Sequence, residues 1–354
     1  MSATAFSPLI RYNLIIQDSS LGFSMRDVII IGGGLGGLGA AYTLQERGIP
    51  YTLIDYRPRL GGSIGSKTVA GFTYDTGRML TFDRQDAPLY QHLGLTDALA
   101  VAREDEVGTW FAFKSGQQVL VDTLTKPLTG KILWRMAVTS VGEFDKIARA
   151  KGAPPFCVCL ENGTVLDAQA LIVATPAVHA ARMFRSLSQA ASTVLENYRY
   201  DSIARLNLGY RLEDMRGKLP DAPAQDYYPL TYIHQLFGEG RAPDGCALIQ
   251  AGVRYDPAKG IAPESNGDLA GGFAALYGLP ETPLFEQVSA WEYDEPLMWL
   301  DEDFPARMAR LQYALPDGVA VAGSDYINPY YPRPTLAERV ESGMAAAERV
   351  LAAL

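Results

Sequence analysis

Gly32, Gly34 and Gly37 stand directly after the apolar run Val28 to Ile31 and spell G-x-G-x-x-G at its end. Glycines at that spacing serve a phosphate. Gly32 permits a tight turn, Gly34 lets the backbone approach a pyrophosphate, and Gly37 lets a following helix lie close to the strand, with Gly36 in the same turn. The unpaired N–H groups and positive dipole end of that helix stabilise a dianion without any lysine. Asp55 closes the next apolar run, Tyr51 to Ile54, where a carboxylate accepts hydrogen bonds from ribose hydroxyls and repels a 2′-phosphate. Strand, glycine turn, helix, strand and acid in that order predict a nucleotide-binding unit over 27–63.

Three rival readings of this stretch fail on context. Val28 to Leu44 carries no charge, and Gly33 with Gly37 forms a G-x-x-x-G, but a membrane span needs about 20 predominantly apolar residues and this run is rich in glycine. Gly61-Gly-Ser63-Ile-Gly65 matches the G-x-S-x-G of a hydrolase, yet Ser63 follows a polar loop and precedes the strand-like Thr68 to Tyr74, where a nucleophile needs a strand before it and a helix after. A plain NAD dehydrogenase does not explain the further glycines after Asp55.

The elements that position these residues sit in a chain of 354 residues, 48% hydrophobic and 20% charged, which suits one large or two joined globular domains. A net charge of −9 disfavours nucleic acid and anionic membranes as partners. Three cysteines make no disulfide framework and point to a reducing cytoplasm, and Cys157 and Cys159 share one face of a strand as core residues. His92, His179 and His234 lack ligand partners at metal-site spacing, so no metal is expected. Residues 1–25 read as an N-terminal tail without a signal peptide, with Met25 as a natural start. A helix is predicted over Ala87 to Leu99, a strand over Gly108 to Phe113, and further runs at Ile132 to Val141, Pro155 to Leu160 and Val165 to Ala174, with Asn162-Gly163 as a hairpin turn. Tyr200 to Tyr210, Tyr227 to Phe237, Ala247 to Tyr255 and Glu286 to Tyr293 read as an antiparallel sheet, with a helix over Leu269 to Tyr277.

From Asp55 onward the chain resembles the FAD-dependent amine oxidase superfamily, which includes protoporphyrinogen oxidases and carotenoid desaturases. Asp55-x5-Gly61-Gly62, passing through Tyr56, Arg57 and Arg59, has the spacing of its acid-x5-Gly-Gly signature; Gly71-Phe-Thr-Tyr-Asp75-Thr-Gly77 looks like its G-F-x-x-D-x-G segment; and Val319 to Asp325 with Glu341-Ser-Gly343 is similar to its closing motif. The resemblance implies an α/β fold: a Rossmann-like FAD-binding domain, with a parallel sheet plus a three-stranded meander, and an inserted α+β substrate domain on an antiparallel sheet. The implied division is 26–83, 116–185 and 312–354 for FAD, and 84–115 with 186–311 for substrate. It further implies noncovalent FAD held by Gly32, Gly34, Gly36, Gly37, Asp55, Tyr56, Arg57, Gly61, Gly62, Ser63, Gly77, Arg78, Met79, the backbone at Val138, Gly323, Asp325 and Leu336, where a helix N-terminus faces the flavin. Trp291 to Leu300, the segment that carries covalent flavin in some relatives, holds no cysteine or histidine.

Arg205, Trp291 and Tyr326 are the implied substrate-pocket residues; no catalytic residue is identified. Arg205 takes the place of the lysine that amine oxidases set opposite the flavin, and a guanidinium more naturally clamps a carboxylate or orients water than exchanges protons. Ser63 stands where many members carry arginine, and the long helical insertion of larger relatives has no room here. The expected activity is oxidation of an amine or activated C–H bond of a small to medium, partly apolar substrate by hydride transfer to FAD, with dioxygen or a quinone as acceptor. Alternatives are a non-redox flavoprotein similar to sugar mutases, a protoporphyrinogen oxidase or desaturase, and a protein that holds FAD or an apolar ligand without turnover.

Overall fold

The computed structural model describes residues 28–215, 230–238, 240–260, 268–296, 303–327 and 334–354. The tail assigned to 1–25, the start of the run at Tyr227 and the end of the segment to Leu300 lie outside the described residues.

In chain order, β1 (Val28–Ile31), α1 (Leu35–Glu46) and β2 (Tyr51–Asp55) lead into the hairpin β3 (Ser66–Val69) and β4 (Phe72–Asp75). Then come α2 (Pro88–His92), a second hairpin β5 (Leu99–Asp105) and β6 (Gly108–Phe113), α3 (Gln118–Thr125), β7 (Lys131–Trp134), β8 (Val138–Glu143) and α4 (Lys146–Ala150). β9 (Phe156–Leu160), β10 (Val165–Ala168), β11 (Ala170–Val173), α5 (Ala177–Phe184) and α6 (Gln189–Leu195) follow. The last part holds β12 (Tyr200–Arg211), β13 (Leu230–Phe237), β14 (Cys246–Arg254), α7 (Leu269–Tyr277), β15 (Phe285–Pro296), α8 (Phe304–Ala314), β16 (Val319–Val321) and α9 (Leu336–Leu351).

β1 is central to a parallel five-stranded sheet of order β16-β11-β1-β2-β7, with Ile30 opposite both Leu53 and Ile172. All four β1 side chains are buried because helices cover one face and the meander β10-β9-β8 covers the other. That explains a continuous apolar run where an exposed sheet would alternate. α1 and α9 pack so closely that a Cβ on Gly343 would strike the Gly36 carbonyl, and one on Gly39 would strike Val340.

Two long runs read from sequence divide between sheets. The run Ile132 to Val141 breaks at Arg135, at φ 53°, so that β7 joins the parallel sheet and β8 the meander. Val165 to Ala174 likewise changes sheet at Gln169. The helix expected over Ala87 to Leu99 is corrected to the short α2: Gly94 at φ 67° ends it, and Leu99 opens β5.

The four-stranded antiparallel sheet, of order β13-β14-β12-β15, sets the site by simple alternation. Ala204, Leu206, Leu208 and Tyr210 turn to α7 and join Ile249, Ala251 and Phe273 in one core. The intervening residues therefore face the other way. In that register Asn207 lies opposite Gln250 and Gln250 opposite His234, while Arg205 lies opposite Gly252 and Gly252 opposite Tyr232. A Cβ on Gly252 would strike the Tyr232 ring, so the glycine makes room for the phenol beside Arg205.

Candidate functional site

Among Gly32, Gly34, Gly36 and Gly37, only Gly34 opens onto empty space. It is the N-cap of α1 in extended conformation (φ −72°, ψ −176°), no side chain caps the helix, and a Cβ built on it meets nothing within 4 Å. An uncapped first turn with open approach is what an anionic phosphate requires. The other three glycines serve packing. Gly32 is at φ 103° with its Cβ position against the Ala174 carbonyl, a Cβ on Gly37 would strike the Gly32 carbonyl, and one on Gly36 would lie 2.9 Å from the Gly323 nitrogen.

Asp55 is buried and fixed from both sides: Oδ2 accepts from the Gly33 N–H at 2.6 Å and Oδ1 from the Arg57 N–H at 2.7 Å. Each carboxylate oxygen keeps a further lone pair for a hydroxyl. Tyr56 is exposed, and its hydroxyl accepts from Arg57 Nε at 2.7 Å. The Gly61 N–H donates to the Gly33 carbonyl at 2.8 Å, drawing the second glycine loop onto the first. Arg59 braces that loop by donating to the carbonyls of Gly62 at 2.9 Å, Ile64 at 3.1 Å and Leu60 at 3.2 Å. Val138 opens β8 and is half-buried against the meander core.

The loop Asp75 to Met79 joins the two sheets. Asp75 is fully buried; Oδ2 takes Arg241 Nη2 at 2.5 Å, and Oδ1 takes the Ser66 hydroxyl at 2.5 Å and the Gln117 N–H at 2.9 Å. Gln250, also fully buried, donates through Nε2 to the carbonyls of Asp75 and Gly77 and to Asn207 Oδ1, each at 3.0 Å, while its Oε1 accepts from the Met79 N–H at 2.9 Å. One glutamine thus sets Gly77, Arg78 and Met79 against the antiparallel sheet. A lone glutamine within the apolar run Ala247 to Val253 was its only sequence signal.

A cavity lies where these parts meet, bordered by Ser63, Arg78, Phe82, Trp110, Arg205, Asp294, Leu336 and Arg339 among others. Arg205 is buried, and Nη2 donates to both Asp294 oxygens at 2.5 and 2.7 Å. Burial opposes its charge, but Asp294 and Tyr232 outweigh burial and hold the guanidinium above its usual range. The Arg78 guanidinium lies 4.1 Å from the Tyr232 ring centre, and the Phe82 and Trp110 rings stand 3.9 Å apart. His234 lies between Tyr232 and Trp110; burial first, then Arg78 and Arg103, push its pKa well below the ordinary value, so the ring is neutral. Asp294, Arg339 and His234 had no functional reading in the sequence.

Four placements differ from the reading of the residues. Trp291 does not border this cavity: its indole N–H donates to the Thr76 carbonyl at 3.0 Å, and Arg57 lies 4.3 Å from its ring centre. Tyr326 is turned to the Thr175 carbonyl, to which its hydroxyl donates at 3.0 Å. Asp325 takes the Ala177 N–H at 2.8 Å and the Tyr200 hydroxyl in a very short bond, so its carboxylate caps α5. Leu336 borders the cavity, but its N–H and that of Ala337 donate to Asp83 at 2.8 and 2.9 Å, and Thr335 with Glu338 completes a capping box. The α9 N-terminus is therefore satisfied within the protein, unlike that of α1.

Residues 94–266 match the sequence profile of flavin containing amine oxidoreductases, directly after a match of residues 30–93 to NAD(P)-binding Rossmann-like domains. Across 30–266, two thirds of its length, the chain is thus similar first to NAD(P)-binding Rossmann-like domains and then to flavin containing amine oxidoreductases. Its cofactor is FAD. The open Gly34, the uncapped α1 and Asp55 fit the ADP half of that cofactor, and Ser63 and Arg78 bring the family's loops to the cavity. A protein from Exiguobacterium provisionally assigned as a protoporphyrinogen oxidase shares the fold at TM-score 0.73 and 14% identity, over 92% of this chain and 99% of that one. Wild-type putrescine oxidase bound to putrescine does so at TM-score 0.66 and 14% identity, over 92% and 99%. Curated relatives match locally: 4,4'-diaponeurosporene oxygenase of Staphylococcus haemolyticus is 41% identical over 54 residues, 15% of this chain and 11% of that protein. 4,4'-Diapolycopene oxygenase of Methylomonas is 46% identical over 50 residues, 14% of this chain and 10% of that protein. These matches span about a tenth of the curated relatives' length.

Proposed function

We propose that this flavoprotein is an oxidoreductase that oxidises an amine or activated C–H bond of a small to medium, partly apolar substrate. The carrying observation is the cavity in which Ser63 and Arg78, on the family's loops, meet Arg205 and Asp294 of the antiparallel sheet and the rings of Phe82 and Trp110. FAD, when bound, supplies the hydride acceptor. The chain supplies position and polarity: Phe82 and Trp110 offer apolar lining that excludes water, and the Arg205–Asp294 pair fixes charge in the same lining. His234 carries no proton to give beyond its neutral tautomer, so acid–base help is not assigned to it.

FAD is proposed to be noncovalent and held by the residues named from the family motifs, with Gly34 and Asp55 foremost; Asp325 and Leu336 would have to exchange their present partners to contribute. The proposed boundaries are 26–83, 116–185 and 312–354 against 84–115 and 186–311; the separate antiparallel sheet supports 186–311, whereas Leu89, Tyr90, Leu99 and Phe113 of 84–115 pack into the core of β1, α1 and α9. Dioxygen or a quinone is the proposed acceptor. A cytoplasmic setting is proposed from the three cysteines, which are free; no helix of the described residues is long and apolar enough to cross a membrane.

Anaerobic mixing of the FAD-loaded protein with a panel of amines, amino acids and donors with activated C–H bonds tests the reading. Bleaching of the flavin by one class of donor is expected. If dithionite alone bleaches it, the oxidoreductase reading falls and a non-redox or carrier role takes its place.

A further inference from the structure

We propose that the cavity selects an anionic substrate, one that presents a carboxylate or phosphate group on an apolar body. The inference rests on the reading of this cavity as the substrate site and names the substrate's charge. Among the described residues, three guanidinium side chains border the space, Arg205, Arg339 and Arg78, the last also named for FAD, against the carboxylate of Asp294. Asp83 and Asp325 also act on Arg339, but Asp83 directs both oxygens to the α9 backbone and takes the Thr81 hydroxyl, and Asp325 takes the Ala177 N–H and the Tyr200 hydroxyl, so both are turned to the fold. A substrate ammonium entering here would face an excess of like charge, whereas an anion would complete it.

The donors left over point the same way. Arg205 uses Nη2 alone on Asp294, and its Nε and Nη1 are buried with no hydrogen-bond partner. The Arg205 side chain is only 5% exposed, so those donors cannot be served by bulk solvent. Arg339, in the first turn of α9, likewise has a buried Nε without a partner. Buried charged donors without acceptors are costly, and an oxyanion with several lone pairs relieves more than one at once. The geometry is also held in place. Arg205 is fixed by its register between Gly252 and Ser289 and by Asp294, so it offers its remaining donors without first being ordered. Phe82 and Trp110 in the same lining supply contact for the apolar body.

The test uses four probes that share one ring: benzoate, phenyl phosphate, benzamide and benzylamine, titrated into the FAD-loaded protein and read as a perturbation of the visible flavin bands. Benzoate or phenyl phosphate is expected to bind at least tenfold more tightly than benzamide and benzylamine. The tighter of the two distinguishes a carboxylate from a phosphate ester. Arg339→Gln and Arg205→Lys are expected to weaken the anion at least fivefold and to leave benzamide unchanged. Arg339 is partly exposed on a helix, so its variant keeps the fold.

The proposal is overturned if benzylamine or benzamide binds as tightly as the anions, if no probe binds below 10 millimolar, taken as roughly the weak limit of specific recognition, or if neither arginine variant weakens the anion. A variant that changes flavin retention while leaving anion binding intact also overturns it, since the charge would then serve the cofactor. If the protein takes up no FAD, the same four probes are read by calorimetry on the cofactor-free chain. Anion preference there supports the inference although the flavin reading has failed; its absence sinks both.

Discussion

Replacing Arg241 by methionine removes one partner of an ion pair that is closed from solvent on both sides. The side chains are 3% and 0% exposed, and Nη2 lies 2.5 Å from Asp75 Oδ2. Asp75 Oδ1 keeps Ser66 and Gln117, but Oδ2 is left charged and alone. Breaking a buried pair in this way costs about 3–5 kcal/mol. The loss of Arg241 Nε and Nη1, both buried without partners, returns about 1 kcal/mol. The net expectation is about 3 kcal/mol for Arg241→Met, a similar loss for Asp75→Asn, and only about 2 kcal/mol for the double variant, because no isolated charge then remains. Urea unfolding of the cofactor-free protein, followed by tryptophan fluorescence, measures all four corners of the cycle. Single losses that add to within about 0.5 kcal/mol of the double variant's loss would refute the reasoning, since independent sites add in that way.

Further expectations concern the turn, the helix cap and the buried histidine. Gly34→Val should leave the cofactor-free stability within about 0.5 kcal/mol but weaken FAD at least tenfold by fluorescence titration, because the Cβ position is open within the protein. Gly37→Ala should instead compromise folding through the Gly32 carbonyl, visible as loss of the cooperative thermal transition. Asp83→Ala should cost about 2 kcal/mol in urea unfolding, since two N–H groups of α9 and the Thr81 hydroxyl lose their acceptor. Burial depresses His234 below its unfolded value of 6.5, so above that pH it is neutral in both states and has no effect. As pH falls, the unfolded chain takes up a proton that the folded chain refuses, and stability is lost: about 1.4 kcal/mol by one unit below the unfolded value. Wild type should therefore lose about that much more than His234→Phe between pH 7.5 and 5.5, and equal losses in urea midpoints would remove the histidine from the account.

The nucleotide-binding unit was legible because its signals are local. An apolar run, three glycines and an acid specify a strand, a turn and a second strand without reference to distant residues, and β1, α1 and β2 follow them. The antiparallel sheet was legible for the same reason, through alternation and flanking turns. The cavity was not. Arg78, Arg205, Asp294 and Arg339 are brought together by strand register and by α9, over separations that no spacing rule spans. Arg339 read alone is an ordinary cation in a helix that also carries Glu338 and Glu341. Asp325 and Leu336 show the converse limit: their positions follow the family pattern, but α5 and Asp83 compete for their polar groups, and that competition exists only after folding. The expected helix over 87–99 failed for a local reason that outweighed composition, since Gly94 adopts a left-handed conformation where a helix must end.

The central claim is that this fold holds FAD without a covalent bond, at the open turn of α1. The most direct measurement is the visible absorption spectrum of the purified protein, taken again on the supernatant after heat denaturation. Flavin bands that pass entirely into the supernatant are the predicted result. A colourless protein that also refuses added FAD would contradict the account.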